Sequence, residues 1–258
     1  RVSDPHFKRV IWKFLKSGVM EEGEFLKTKE GSPQGGILSP VLANIYLHYV
    51  LDLYFEKKIK PNQKGYVKQV RYADDFLIGV QCQKEAVDIK SQLAKRLQKF
   101  GLTLSQEKTA VKEFGRFASE NRSKRGEGKP ETFNFLGFTH YCSKTRDGRF
   151  QLRVRTQKKR MERATTSVSA YLKVNRTKGL KEIWRNLALK LTGHFNYYGL
   201  SGNFEEVKNY YGNVRKLAFK WLNRRGGKKS FSWEEFEKYL IFNPLPKPKV
   251  TYAIYNTW

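Results

Sequence analysis

Acidic residues are scarce in this chain. Its 258 residues hold 24 Asp+Glu against 51 Lys+Arg, a formal net charge of +27. Solubility does not require so large a deficit of negative charge, and it points to a polyanionic partner. Cysteine is scarcer still. Cys82 and Cys142 lie too far apart for a paired metal motif and are too few for a disulfide framework. They read as apolar thiols in a reducing compartment, with a cytoplasmic protein bound to a nucleoid or ribonucleoprotein as the expectation. No apolar run approaches the ~20 residues of a membrane span, and no signal peptide opens the chain. No His/Cys group has zinc-ligand spacing, which argues against a zinc-dependent endonuclease module. Internal repeats are absent. The chain opens at Arg1, without a methionine and in mid-pattern, and so reads as a piece of something longer.

Aromatic residues are present in number. They make up 14% of the chain and lie among the basic ones, as expected where bases stack and phosphates are neutralised. A structural RNA-binding protein would share this composition, so charge alone gives nucleic-acid contact and not catalysis.

The rare acids become informative at Val70-Arg71-Tyr72-Ala73-Asp74-Asp75-Phe76-Leu77-Ile78-Gly79-Val80. Two β-prone apolar runs flank adjacent aspartates, which predicts a hairpin over residues 66–82 with the carboxylates at its tip. Neighbouring ionised carboxylates repel unless a cation sits beside them. Hard oxygen ligands on a tight turn suit Mg²⁺, which shares its remaining positions with water and substrate phosphates. Taken alone, an Asp-Asp pair is more often a solvated turn. The surrounding order of elements makes the difference.

Before the hairpin, Phe7, Val10, Ile11, Phe14 and Leu15 have helical spacing, and Phe25–Thr28 reads as a strand. Residues 31–36 form a loop by composition. Ser39-Pro40 is a cap and first turn for a helix over Val41–Phe55, which is apolar nearly all round and so is expected to be buried. After the hairpin, Ile89, Leu93, Leu97 and Phe100 mark an amphipathic helix ended by Gly101, and Leu102-Thr103-Leu104 begins an extended piece. Residues 119–131 are polar and glycine-bearing, a predicted mobile loop. Residues 133–138 and 150–154 return to strand. Three helices follow, marked by Met161, Ala164, Val168 and Leu172, by Leu180, Ile183, Trp184, Leu187 and Leu191, and by Val207, Tyr210, Tyr211, Val214, Leu217 and Trp221. Residues 153–229 carry 20 Lys+Arg and four Glu, a net +16. The predicted class is α+β, with a mixed domain over 1–154 and a basic helical domain over 155–258.

Tyr72-Ala73-Asp74-Asp75 between two strands resembles the catalytic hairpin of reverse transcriptases. Residues 33–40, Pro-Gln-Gly-Gly-Ile-Leu-Ser-Pro, with residues 41–47 resemble the preceding block of the group II intron class. Residues 101–109 (Gly-Leu-Thr-Leu-Ser-Gln-Glu-Lys-Thr), Phe135-Leu136-Gly137-Phe138, and residues 191–198 (Leu-Thr-Gly-His-Phe-Asn-Tyr-Tyr) are similar to the later blocks, in family order. The resemblance implies an N-terminally truncated palm, an antiparallel sheet with packed helices, over 1–154 and an all-α thumb or maturase domain over 155–258. It implies an RNA-directed DNA polymerase acting through two Mg²⁺ ions on an RNA template, a primer and dNTPs, with a group II intron RNA as a further partner. A splicing-assisting maturase without catalysis and a CRISPR-associated reverse transcriptase are the alternatives.

Residue by residue, the resemblance implies Asp74 and Asp75 as metal ligands. Gln34, Gly35 and Gly36 would line the nucleotide pocket, where glycine lets main chain approach the substrate. Lys108 would sit near the triphosphate, and Tyr72 would pack beside the hairpin with a primer contact. Arg155, Lys158, Lys159, Arg160, Arg163, Lys216, Lys220, Arg224 and Arg225 are candidate phosphate contacts by their collective charge. His194 reads as a hydrogen-bonded structural residue or backbone contact, and Tyr197, Tyr198, Tyr210 and Tyr211 read as packing residues. The family also uses an aspartate ending an earlier strand. Of the aspartates that precede the hairpin, Asp4 stands before Pro5 and Asp52 falls inside a helical pattern, so neither fits. The expectation is therefore a chain that does not polymerise alone and is completed by its parent protein or by a segment supplied in trans.

Overall fold

A computed structural model describes residues 3–16, 19–21, 24–26, 38–226 and 231–253. The chain forms two compact units, Arg1–Val111 and Lys112–Trp258. Both mix helices with antiparallel sheet, in keeping with the α+β expectation.

In the first unit, α1 (Pro5–Leu15) is capped by Asp4, whose carboxylate accepts from the His6 and Phe7 amides. Its helical spacing is as predicted, yet none of its residues is buried. β1 (Val19–Glu21) pairs antiparallel with β2 (Glu24–Leu26). α2 (Ser39–Leu47) starts one residue earlier than predicted, with Leu38 at the cap position and Ser39-Pro40 already in the first turn. It runs through right-handed backbone into π-turns at His48–Asp52 and Phe55–Ile59. The prediction of a wholly buried helix holds only for this second half. Val50, Leu51, Phe55 and Ile59 are buried, whereas Val41 and Ile45 are 55% and 51% exposed. β3 (Val67–Tyr72) and β4 (Asp75–Val80) form the predicted hairpin, and α3 (Gln83–Gln98) follows. The core of this unit is small: Leu51, Phe55, Ile59, Val67, Ile89 and Leu93, with Phe76, Ile78 and Val80 packed against it. Residues 102–105 form no strand, and Phe100 lies beyond α3, edge-on to Tyr46.

In the second unit, the predicted mobile loop contains α4 (Ala118–Lys124). Its polar residues are tied by ion pairs of Arg122 and Arg125 with Glu113 and Glu127. The predicted strand at 133–138 is a hairpin: β5 (Phe133–Phe135) turns through Leu136-Gly137 into β6 (Phe138–Lys144), which pairs with β7 (Phe150–Thr156). Both turn residues have positive φ, 47° and 78°, as a two-residue hairpin loop of type I′ requires. α5 (Lys158–Asn175), α6 (Leu180–Tyr198) and α7 (Phe204–Leu222) are the three predicted helices, and α8 (Trp233–Phe242) is an addition.

The units divide after Val111 and not near residue 155, where the composition changes. The physical reason is that the β5–β7 sheet is bonded to the helices. Asn203, buried between α6 and α7, donates to the Thr156 hydroxyl and the Tyr198 carbonyl and accepts from the Thr156 amide, all within 2.8 Å. Phe138 stacks on Tyr197, whose hydroxyl donates to the Leu136 carbonyl. The large core, from Val168 through Leu187, Leu191 and Val214 to Phe236, lies among α5–α8.

Candidate active site

The register of the first hairpin places its acids. Tyr72 pairs with Asp75, so Ala73-Asp74 is a two-residue turn. Cross-strand partners share a face and alternate residues change faces. One face therefore carries Val67, Gln69 and Arg71 opposite Val80, Ile78 and Phe76, and it packs on the core. The other carries Lys68, Val70 and Tyr72 opposite Gly79, Leu77 and Asp75. Tyr72, at 65% exposed, stands beside Asp75 on this outer face and is not packed as expected. Gly79 leaves the outer face open, since a Cβ there would meet only the Lys68 carbonyl at 4.0 Å. Asp74 and Asp75 are both exposed.

Ala73 adopts φ +54°, a left-handed conformation that non-glycine residues rarely take. Its carbonyl accepts from Arg71 Nη1 at 2.7 Å. The same guanidinium grips Asp52 with two bonds, Nε to Oδ1 at 2.8 Å and Nη2 to Oδ2 at 2.6 Å, and Nη1 also donates to Asn44 Oδ1 at 2.8 Å. Gln69 Nε2 adds a 2.8 Å bond to Asp52 Oδ1. Bidentate Arg–carboxylate pairs are the strong, geometrically defined kind. The Arg71 hydrogen bond holds the Asp52 carboxyl below its usual pKa, and Asp52 in turn raises that of Arg71. The sequence pattern points to this group only weakly. Two polar residues, Gln69 and Arg71, on the core side of a strand, and one aspartate in an apolar helix, were the available signal.

Two adjacent carboxylates supply the hard oxygen donors Mg²⁺ prefers, but among the described residues no third His, Cys, Asp or Glu gathers with them. The donor chemistry fits and the donor number is short. Lys108 is exposed in the turn closed by the Thr109 amide on the Ser105 carbonyl. No hydrogen bond or ion pair among the described residues joins it to either aspartate. Gln34, Gly35 and Gly36 lie outside the described residues.

Residues 2–140, more than half of the chain, match the family described as reverse transcriptase (RNA-dependent DNA polymerase). The chain belongs to the reverse transcriptase family. It is 29% identical to the group II intron-encoded protein LtrA of Lactococcus lactis subsp. cremoris, over 84% of this chain and 47% of that protein. It is 25% identical to a putative COX1/OXI3 intron 1 protein of Saccharomyces cerevisiae, over 85% of this chain and 34% of that protein. Protein YkfC of Escherichia coli is 32% identical over 34% of this chain and 30% of its own length. The chain spans about half the length, or less, of these curated relatives. The group II intron-type resemblance of its motifs thus agrees with its relatives.

The basic candidates of this reverse transcriptase chain divide by environment. Arg155, Lys158, Lys159, Arg160, Arg163, Lys216, Lys220 and Arg224 are exposed. Arg155 lies over the Tyr141 ring, and Lys220 and Arg224 lie over Trp221. Lys158 is 4.0 Å from Glu162. Arg225 differs: it is half-buried and donates to the Lys178 carbonyl. His194 is buried against Tyr210, with ring centroids 3.7 Å apart, and burial pushes its pKa down to about 4. Burial pushes Tyr210 up to about 12. Both are packing groups, and the hydrogen-bonded role expected of His194 does not hold, since its Nε2 is buried without a partner among the described residues. Tyr197 is exposed at its ring but tied through its hydroxyl to the β5–β6 turn. No helix among the described residues is long and apolar enough to cross a membrane.

Proposed function

We propose that this chain carries part of the palm and the helical thumb or maturase region of an RNA-directed DNA polymerase of the group II intron type. The carrying observation is the pair Asp74-Asp75, presented to solvent on a left-handed turn, in a chain whose residues 2–140 match reverse transcriptases. Bound Mg²⁺ would activate the primer hydroxyl and hold the departing pyrophosphate. The work of Asp74 and Asp75 is to hold the ions at a fixed place on the outer face of the hairpin. Tyr72 and the open surface at Gly79 give the primer end an apolar bed next to Asp75. Gln34, Gly35 and Gly36 line the dNTP pocket and Lys108 meets its triphosphate. The exposed cations of β7, α5 and α7 neutralise the phosphates of template and primer, and of an intron RNA, a partner supported by the names of the relatives.

The family resemblance implies a further aspartate, at the end of an earlier strand, beside this pair, and no described residue supplies it. The exposed apolar faces of α1 and α2, which include Trp12 and Ile45, offer a segment that brings it somewhere to pack. Primer extension on an RNA template tests the reading. The isolated chain gives no product, and the parent protein, or the chain mixed with the completing segment, gives Mg²⁺-dependent cDNA. Asp74→Asn then lowers synthesis by at least ~10³-fold, the several kcal/mol that metal stabilisation supplies. Synthesis that survives Asp74→Asn would overturn the enzymatic reading.

A further inference from the structure

The four-way grip of Arg71 does more than tie α2 to the hairpin. The Ala73 carbonyl belongs to the peptide plane that leads directly into Asp74. Holding that oxygen fixes the rotation on either side of the plane, and so the direction in which the Asp74 side chain leaves the backbone. Ala73 has no side chain able to stabilise its φ of +54°, a conformation that persists only where the surroundings impose it. Arg71 is placed to impose it. It is 13% exposed, and three of its nitrogens are engaged at 2.6–2.8 Å. The holder of Arg71 is itself unusual: Asp52 sits in a π-turn, a rare element enriched at functional sites. Asn44, two helical turns earlier, fixes the remaining edge of the guanidinium.

We propose that Arg71, clamped by Asp52 and Asn44, is a positioning residue that locks the Ala73–Asp74 peptide and so sets how Asp74 and Asp75 face a divalent ion. This rests on the polymerase reading for its purpose, but the lock itself is a property of the hairpin that can be measured without metal. An ordinary strand–helix ion pair would need only the two bonds to Asp52. The bond to the turn carbonyl is the part that a purely structural role leaves unexplained.

Arg71→Lys keeps the charge and can still pair with Asp52, but one ammonium cannot span Asp52, Asn44 and the Ala73 carbonyl together. The test is made on the 258-residue chain with three readouts: thermal unfolding, backbone amide order parameters at Asp74 and Asp75, and broadening of those amides by Mn²⁺. Wild type is expected to show rigid turn amides, with order parameters about 0.85, falling below about 0.6 in Arg71→Lys. Mn²⁺ affinity should fall about 10- to 100-fold, as when an outer-shell partner of a metal ligand is lost, while the melting temperature moves by only a few degrees. Arg71→Lys with rigid turn amides and wild-type Mn²⁺ affinity would overturn the proposal. If Arg71→Lys does not fold, Asn44→Ala, which spares the Asp52 pair, is expected to show the same changes at smaller size, and unchanged order parameters there would equally overturn the proposal. A wild-type turn that is rigid but takes no Mn²⁺ is the behaviour of a site that lacks its further carboxylate, and the order parameters then decide the lock alone; failure of the polymerase reading is seen separately, as cDNA synthesis by the completed protein that survives Asp74→Asn.

Discussion

The two compact units hold their shape by different means. Among the described residues, the second surrounds α6 with α5, α7 and α8 and buries fifteen in one apolar cluster, including Leu172, Leu187, Phe195 and Phe236. Among the described residues of the first, six are buried in its cluster, and Phe7, Trp12, Val41, Ile45, Tyr49, Val70 and Tyr72 are exposed. Its candidate chemistry sits at the hairpin end where packing gives out, and there the restraint is polar: Asp52, Arg71, Gln69 and Asn44. A reactive carboxylate pair cannot be packed in apolar surroundings without losing charge and access. A directional hydrogen-bond clamp behind it gives rigidity and leaves the tip open to solvent. The second unit, whose proposed contacts are made by diffuse charge, has no such constraint and can use a conventional core.

The largest stability effect should therefore fall in the second unit. Leu187 is fully buried, and Leu187→Ala is expected to cost about 2–5 kcal/mol through lost transfer energy and the residual cavity. Chemical denaturation followed by tryptophan fluorescence reads this, because Trp184 and Trp221 lie in or against the same core. A cost below 1 kcal/mol would mean that the bundle is loosely packed and the contrast between the units is unfounded.

The next effect is pH dependence in the same unit. The folded pKa of His194 is about 4, below the ordinary 6.5, because burial disfavours the imidazolium. Below pH 6.5 the unfolded chain takes up a proton that the folded chain refuses, so stability falls as pH drops from 6.5 toward 4 and then levels. The slope is about 1.4 kcal/mol per pH unit at most, and up to about 3 kcal/mol is lost in all. His194→Phe should flatten this part of the stability profile, since the site already stacks an aromatic ring on Tyr210. An unchanged profile in that variant would assign the acid sensitivity elsewhere.

What was legible in the sequence follows the range of the interactions. The hairpin, α3 and the helices α5–α7 were readable because each repeats apolar residues at its own period, as in Ile89, Leu93 and Leu97. α4 has no apolar stripe and depends on ion pairs to Glu113 and Glu127, so its polar residues read as a loop. α8 carries its own signal in the sequence. Ser232 and Glu235 form a capping box ahead of Phe236 and Leu240. At the site, the Asp74-Asp75 tip was visible as a motif, whereas the clamp joins residues up to 27 positions apart and is set by tertiary contact. The compact units divide after Val111 whereas the charge composition changes near 155, because the bonds of Asn203 and Tyr197 hold the preceding sheet to the helices.

The smallest effect tests the other half of the comparison. The apolar residues of α2 that face solvent contribute little to the stability of this chain. Val41→Ser and Ile45→Ser each remove an apolar side chain that remains about half in water. Exposed substitutions away from caps and clamps change stability within about 0.5 kcal/mol, to which serine adds a few tenths for weaker helix propensity. A loss above 1 kcal/mol from either would show that this face is packed in solution. The first unit would then rest on more than its small core and the Arg71 clamp. Near-neutral values, together with weakened association of a completing segment in the same variants, would mean instead that these side chains are held ready for a partner surface. That outcome sharpens the contrast, for one unit then stands on its own core and the other is finished by what docks on it.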